Sequence, residues 1–298
     1  MGQWYQNEDR LFIDYQMYDF EGVRLRGPKN TNDRYIAYLG AAQTFGRFCE
    51  KPFPTIIGEK LNMGTLNFGS GGAGPSFFTR QEKIIEAVNQ AELVVVQVMS
   101  GRSTSNSLFK SLRGGSTGYR LSDNSKIQSD QLFRELLSGE DPRGFDRVFM
   151  KDLVKETQEN YKQETITLLN SITPPKILFW FSVKHPKDNE FCYSGLNWFE
   201  NMIINYPIIY IFFRKRYHIK PLGSLGSFPQ LVDENVINSI KSYADYYSEC
   251  VSDRGLPQII KNEIGEIVRT NNYYPSPEMH LDAAEAILPI CRDSLEIR

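Results

Sequence analysis

"YIAYLGAAQTFGRF", residues 35–48, decides the fold. Its first five residues are apolar or aromatic without polar alternation, the pattern of a strand buried on both faces. Gly40 marks a turn, and the residues that follow it begin a helix. The middle, "GAAQTFG", has the outline of a nucleophile turn, with Ala42 in the slot where a serine would stand. A methyl group can neither attack a carbonyl nor be activated by a base. Three readings follow: a hydrolase without its nucleophile, a transferase that never needs one, or only a turn.

Outward from this stretch, short β-branched runs alternate with helical segments. A helix near 44–61 is interrupted by Pro52 and Pro54. "MGTLNF", 63–68, leads into "GSGGAG" and a helix across 76–90, followed by "LVVVQVM", 93–99. A polar loop is expected from Ser100 to about Lys126, then helices near 128–138 and 147–171, then "KILFWFSV", 176–183. A helix at 233–251 precedes "PQII", and a last helix begins near Pro277. Strands alternating with helices predict βαβ units and a right-handed parallel sheet. The expected fold is therefore α/β, a three-layer, flavodoxin-like parallel sheet. Residues 1–34 read as an extended, aromatic N-terminal arm, and 35–298 as one domain. Residues 184–230 break the rhythm and read as an insertion or lid within it.

Composition narrows the function. Of the 298 residues, 41% are hydrophobic and 23% charged, ordinary for a globular protein. The net charge of −2 supplies no global basic field to recruit nucleic acid. No apolar run reaches membrane-spanning length, and "MGQWYQNEDR" lacks the apolar core of a secretion signal. Cys49, Cys192, Cys250 and Cys291 form no metal-type cluster and read as reduced core thiols. A cytoplasmic protein is expected, without a metal: three histidines far apart do not make a metal site.

In an open parallel sheet, ligands bind beyond the carboxyl ends of the strands. Four segments fall there: Gly40–Gly46, Asn67–Gly74, "MSGRSTSN" (99–106) and "VKHP" (183–186). "GSGGAG" satisfies a dinucleotide-type glycine spacing, but the following strand ends in "VQVMSGR", without the acid that a ribose needs. A phosphate-loop spacing is excluded because Pro75 stands where the lysine must be. Exposed N–H groups at a helix start still favour an anion, and Arg102 offers a planar fork of donors to a phosphate or sulfate. The plain alternatives are tight turns for the glycines and capping for the hydroxyls and Asn106.

These blocks resemble the SGNH (GDSL-like) hydrolase superfamily. Gly40 and Gly46 match the glycines of its first block, and Asn67, Gly69 and Gly72 those of its second. His280, in "YYPSPEMHLDAAEAI", matches its late base. Ala42 replaces the nucleophile, Pro277 stands where the aspartate partner of the base belongs, and the third block is not recognisable, with Asn106 as a displaced candidate. "GAAQ" is similar to the "GNCQ" turn of capsule-biosynthesis acetyltransferases that bind coenzyme A, Gln43 matching its glutamine. Longer stretches resemble an uncharacterised bacterial family associated with polysaccharide loci.

The resemblance implies a transferase acting on a sugar or polysaccharide precursor, with coenzyme A or a sulfonucleotide as anionic donor carrier. It assigns catalytic roles to His280, Gln43, Asn67 and Gly72, with the later glycine's N–H in an oxyanion hole. Carrier binding falls to Gly40, Ala42, Thr44, Gly69, Ser70, Gly71, Arg102 and Asn106. His185 is the second choice as base, and His218 reads as solvated. The alternatives are an esterase whose nucleophile has moved to Ser70 or Ser100, and a pseudoenzyme that binds glycan without turnover.

Overall fold

A computed structural model describes residues 3–29, 33–138, 147–189, 225, 227–262 and 264–296. Its centre is a five-stranded parallel sheet built from β3 (Tyr35–Leu39), β4 (Gly64–Asn67), β5 (Leu93–Gln97), β9 (Lys176–Ser182) and β10 (Tyr246–Val251). The spatial order is β4-β3-β5-β9-β10, all neighbours parallel. Counting only these strands, that is 2-1-3-4-5, the order of a doubly wound flavodoxin-like sheet.

Strand alternation sends side chains to two different cores. Ala37, Leu39, Val94 and Val96 pack with Ile84 and Val88 of α5 (Glu82–Asn89) and Leu168 of α7 (Arg147–Asn170). Ile36, Tyr38, Val95 and Phe179 pack instead with Phe53 and Ile57 of α3 (Phe53–Leu61) and Ala283 and Ile287 of α9 (Pro277–Ser294). Helices thus cover both faces, and each large apolar side chain buried between them stabilises the fold by roughly 1.5–3 kcal/mol. Because the strands are parallel, the turns after β3, β4 and β5 emerge side by side at one edge.

The structure corrects the expected elements in several places. The first residues are not extended: α1 (Gln3–Asp9) is helical, and a hairpin of β1 (Tyr18–Phe20) and β2 (Val23–Leu25) follows. Seven residues make a marginal helix alone, so tertiary packing holds it: Tyr5, Ile13 and Tyr15 cluster with Ala42 and Phe45. The helix expected over 44–61 is two, α2 (Ala42–Phe45) and α3, separated where Gly46 adopts φ 75°. The helix of 76–90 likewise divides into α4 (Pro75–Thr79) and α5.

The loop of 100–126 contains part of an antiparallel sheet of β6 (Phe109–Ser111), β7 (Thr117–Arg120) and β8 (Lys126–Gln128), followed by α6 (Ser129–Ser138). The helix of 233–251 stops early: α8 is Glu234–Ile240, and 246–251 is the fifth strand of the central sheet. "PQII" contributes β11 (Gln258–Lys261), which pairs with β12 (Ile267–Asn271) outside that sheet. Most of the expected insertion, 190–224 and 226, lies outside the described residues, as do His218 and Cys192. Cys49, Cys250 and Cys291 are free and buried. Among the described residues no helix is long and apolar enough to cross a membrane.

Candidate ligand site at the strand ends

The floor of the site is three turns joined by hydrogen bonds outside the strand ladder. After β3, the Thr44 hydroxyl donates to Gln97 Oε1 at 2.6 Å, and the Ala41 N–H donates to the same oxygen at 3.1 Å. Gly40 leaves room for that triangle, since a Cβ there would lie 2.1 Å from Thr44 Oγ1 and 2.5 Å from Gln97 Oε1. After β4, Asn67 Nδ2 donates to the Thr44 carbonyl and Asn67 Oδ1 accepts the Gly69 N–H, both at 2.9 Å. The Ser70 N–H donates to the Gly40 carbonyl at 3.0 Å. Gly69 presses so closely on α2 that a Cβ would lie 2.2 Å from the Phe45 nitrogen. Gly40, Thr44, Asn67 and Gly69 therefore hold the turns together.

Above this floor opens a polar cleft of about 1000 Å³. Ser70, Gly71, Gly72 and Arg102 reach it from the sheet edge, Gln128 and Asp130 from β8 and α6. Trp4, Tyr5, Tyr273 and Tyr274 supply its aromatic wall, with Trp4 62% and Tyr273 42% exposed. Arg102 pairs with Asp130, the sole carboxylate among the described lining residues, while the Arg102 Nε–H has no partner. Arg134 lines the cleft without an ion pair among the described residues. Among the described lining residues one positive charge is left over, a balance that suits an anionic group.

The cleft narrows to a neck of about 30 Å³ lined by Ala42, Gln43, Gly72 and Ser100, a volume near that of one water. Gly72 adopts φ 75°, and its carbonyl is fixed by the Ser103 hydroxyl at 2.8 Å and the Ser116 N–H at 2.9 Å. Its own N–H meets no acceptor among the described residues, nor do those of Ala42 and Gln43 in the first turn of α2. Gln43 is 2% exposed, and its Oε1 has no partner. Tyr5 lies over Gly71, where a Cβ would be 2.1 Å from the phenol oxygen. Burial first, and Tyr274 next, push the Tyr5 phenol well above its ordinary range. It is therefore no base at neutral pH.

The structure brings Ala42, Gln43, Ser70, Gly71, Gly72 and Arg102 to the cleft or its neck. Asn67, assigned a catalytic role, and Gly40, Thr44 and Gly69, assigned to the carrier, lie instead in the floor beneath, where they join the turns. Two more assigned residues lie elsewhere. His280 is 0% exposed and points into the core, stacked on Phe53 at 6.0 Å and edge-on to Phe181 at 5.5 Å. Its Nδ1 accepts the Phe53 N–H at 3.3 Å. Burial, and then the nearby charge of Arg26, lowers its pKa to about 3. It lines neither cleft nor neck. Asn106 serves a turn, its Oδ1 accepting the N–H groups of Leu108 and Phe109 while Nδ2 donates to Thr157 Oγ1 at 3.0 Å.

His185 pairs with Glu249 at 3.2 Å and is half exposed, away from the cleft. Ser100 donates to Gln230 Oε1 at 2.8 Å, an amide that cannot act as its base. Among the described residues, no serine in the cleft has a histidine beside it. Nor do they include a group of three or more His, Cys, Asp or Glu placed to hold a metal ion.

Sequence reasoning missed the rim. Trp4 and Tyr5 arrive on α1, which is docked through Arg47: its guanidinium holds Asp9 at 2.8 Å and Glu8 at 2.7 Å and donates to the Tyr274 hydroxyl at 3.2 Å. Asp130 and Arg134 arrive on α6. Nothing local in the sequence ties either helix to the strand ends.

A protein-family model described as "Domain of unknown function (DUF6473)" matches residues 1–111. No curated protein matches the chain. Solved structures do. An acetyl xylan esterase, Est2A, from Butyrivibrio proteoclasticus aligns at TM-score 0.40 and 10% identity, over 93% of this chain and 68% of that one. A family two carbohydrate esterase from Clostridium thermocellum, in complex with cellohexaose, aligns at TM-score 0.39 and 11% identity, over 93% and 69%. A catalytic mutant of Axe2, an acetylxylan esterase from Geobacillus stearothermophilus, aligns at TM-score 0.39 and 10% identity, over 91% and 98%.

Proposed function

We propose that this chain is a carbohydrate-modifying protein of SGNH-like build that transfers a group from an anionic carrier to a sugar hydroxyl without a covalent seryl intermediate. The observation that carries the reading is the neck. Ala42 and Gly72, whose N–H groups meet no acceptor among the described residues, line it, Ala42 supplies no nucleophile, and Arg102 lines both neck and cleft. Exposed aromatic faces beside amides and hydroxyls suit a sugar ring, and the surplus positive charge suits the carrier's phosphates.

In this reading Asp130 takes the proton of the acceptor hydroxyl as that oxygen attacks, the bond between the transferred group and its carrier then breaks, and a carrier that departs as a thiolate takes that proton back from Asp130. The Gly72 and Ala42 N–H groups hold the charge that gathers on the oxygen of the transferred group. His280 takes no part. The test is calorimetric titration with coenzyme A, a sulfonucleotide and sugar phosphates, followed by mass spectrometry of sugars incubated with the matching acyl or sulfo donor. Mass gain that disappears in Asp130→Asn with carrier affinity retained supports transfer. Failure of every carrier to bind overturns it. The burial of His280 in the core, with Ala42 in the slot, favours a second reading: glycan binding without turnover, expected to give sugar binding and no mass gain in any donor mixture.

A further inference from the structure

Arg47 is 4% exposed and lines neither cleft nor neck. Its charge is answered by two carboxylates. Asp9 accepts from Nε at 2.8 Å and from Nη2 at 3.0 Å, and Glu8 accepts from Nη2 at 2.7 Å. It is therefore no anion site. What it reaches is the back of the cleft's aromatic wall. The guanidinium carbon lies 5.3, 4.3 and 5.2 Å from the ring centres of Trp4, Tyr5 and Tyr274, within range of a cation–π attraction. Nη1 also donates to the Tyr274 hydroxyl at 3.2 Å. The rings follow one another: Trp4 meets Tyr5 at 5.2 Å, Tyr5 meets Tyr274 at 6.4 Å, and Tyr274 meets Tyr273 at 5.0 Å. Two of them come from α1 and two from the turn after β12. At its other end the Arg47 backbone N–H donates to the carbonyl of Ala42, a neck residue, at 3.3 Å. One residue thus fixes both halves of the wall against the neck.

α1 has seven residues, too few to hold its shape alone. Its other ties are Tyr5 on Phe45, and Gln6 Oε1 accepting the Tyr15 N–H at 2.9 Å. Neither answers the charge of Asp9, which is 0% exposed and takes its cation from Arg47. Without the guanidinium that carboxylate stands buried and unpaired, a strongly unfavourable state, and undocking α1 returns it to water. A lysine keeps the charge and loses the planar fork that holds Asp9 and Tyr274 at once. We infer that Arg47 is the positioning residue of the aromatic wall: it keeps Trp4 and Tyr5 in place beside Tyr274, so docking of α1 and filling of the cleft favour each other. The favour is mutual because a coupling free energy acts equally on both partners. The inference rests on the proposed sugar cleft only for what fills it.

The experiment begins without a ligand. Arg10, exposed just past α1, is a trypsin site that is cut when α1 comes loose, and mass spectrometry of the full chain follows the cut. Arg47→Lys should be cut there roughly tenfold faster than wild type. Glu8→Gln, which removes one contact of Arg47, should be cut faster by a smaller factor. Calorimetric titration then compares inorganic phosphate with glucose 1-phosphate, which differ by the sugar ring that the wall would hold. In wild type the sugar phosphate should bind roughly tenfold tighter and slow the cut, while phosphate should not slow it. Arg47→Lys should lose that advantage and keep its affinity for phosphate, a split that general unfolding would not give. Equal cutting of wild type and Arg47→Lys overturns the inference. Faster cutting with the advantage kept also overturns it, and the sugar cleft then stands. If wild type binds glucose 1-phosphate no better than phosphate, or binds neither, the sugar reading falls. The cutting comparison then decides alone: a faster cut upholds the hold of Arg47 on the wall, and an equal one overturns it. Should Arg47→Lys fail to fold, Glu8→Gln carries the same comparisons with smaller expected changes.

Discussion

His280 Nδ1 accepts the N–H of Phe53 across 3.3 Å, so a residue in the first turn of α9 caps the start of α3. Pro52, at the N-cap of α3, offers no side-chain acceptor, and the first N–H groups of a helix need one. The bond requires a neutral imidazole, and burial keeps it so by lowering the pKa from 6.5 to about 3. Between those values the unfolded chain binds a proton that the folded chain does not, so stability falls as the pH drops through that window. Thermal melts at about pH 7 and about pH 4.5 should show a drop in Tm for wild type and a smaller one for His280→Leu. Sugar affinity in the variant should match wild type. An equal pH dependence would remove His280 as the source.

Gln43→Leu should raise stability. It removes a buried oxygen with no partner, a change worth about 1–2 kcal/mol, or a few degrees in Tm. A loss of stability would mean that the Gln43 amide is already satisfied in the free protein.

Ala42→Ser restores a hydroxyl without restoring catalysis, because His185 and His280 are both committed elsewhere. The variant should resist labelling by a fluorophosphonate and hydrolyse aryl esters no faster than wild type. Rapid labelling would reveal a base that reaches the neck.

Gly69→Ala should destabilise by about 3 kcal/mol, because its Cβ would meet the backbone of Phe45 at 2.2 Å. Gly115→Ala is the control: its nearest neighbour is the Leu112 carbonyl at 3.6 Å, an ordinary contact, and its cost should stay within about 1 kcal/mol. Urea unfolding of the two variants compares them directly, and equal losses would contradict the close approach.

Arg102→Gln leaves Asp130 unpaired and removes the guanidinium from the cleft. Hydrogen bonds to charged groups contribute about 1.5–3 kcal/mol, so affinity for a sugar phosphate should fall roughly tenfold or more. Affinity for the same sugar without phosphate should barely change. Equal losses for both would make Arg102 a structural strut.

The central strands were legible because Val94–Val96 and Ile177–Phe181 are buried on both faces and must be apolar throughout. β10 was not, since an edge strand with exposed Tyr246 and Glu249 carries no continuous run. The strands of β6–β8 are three or four residues long, too short for alternation to stand out. The position of His280 at a helix start was readable, and so was its direction. His280, Ala284, Ile287 and Cys291 fall on one buried stripe of α9 at spacings of three and four. The glycine turns were visible as turns. The rim was not, because Trp4, Asp130, Arg134 and Tyr273 meet only through tertiary packing.

The bonds among Thr44, Gln97, Asn67, Gly69 and Ser70 have a consequence for how such a protein can diversify. A change in one turn is transmitted at once to the other two, so the floor tolerates replacement only as a set. The rim pieces hang separately: α1 on Arg47, α6 on the small antiparallel sheet, Tyr273 on Asn271 and Gln230. New ligand preferences can arise there one residue at a time, without unfolding the base on which they stand. Proteins descended from a common ancestor with this chain, yet binding different ligands, should differ where Trp4, Arg134 and Tyr273 stand and agree at Gly40, Asn67 and Gly69.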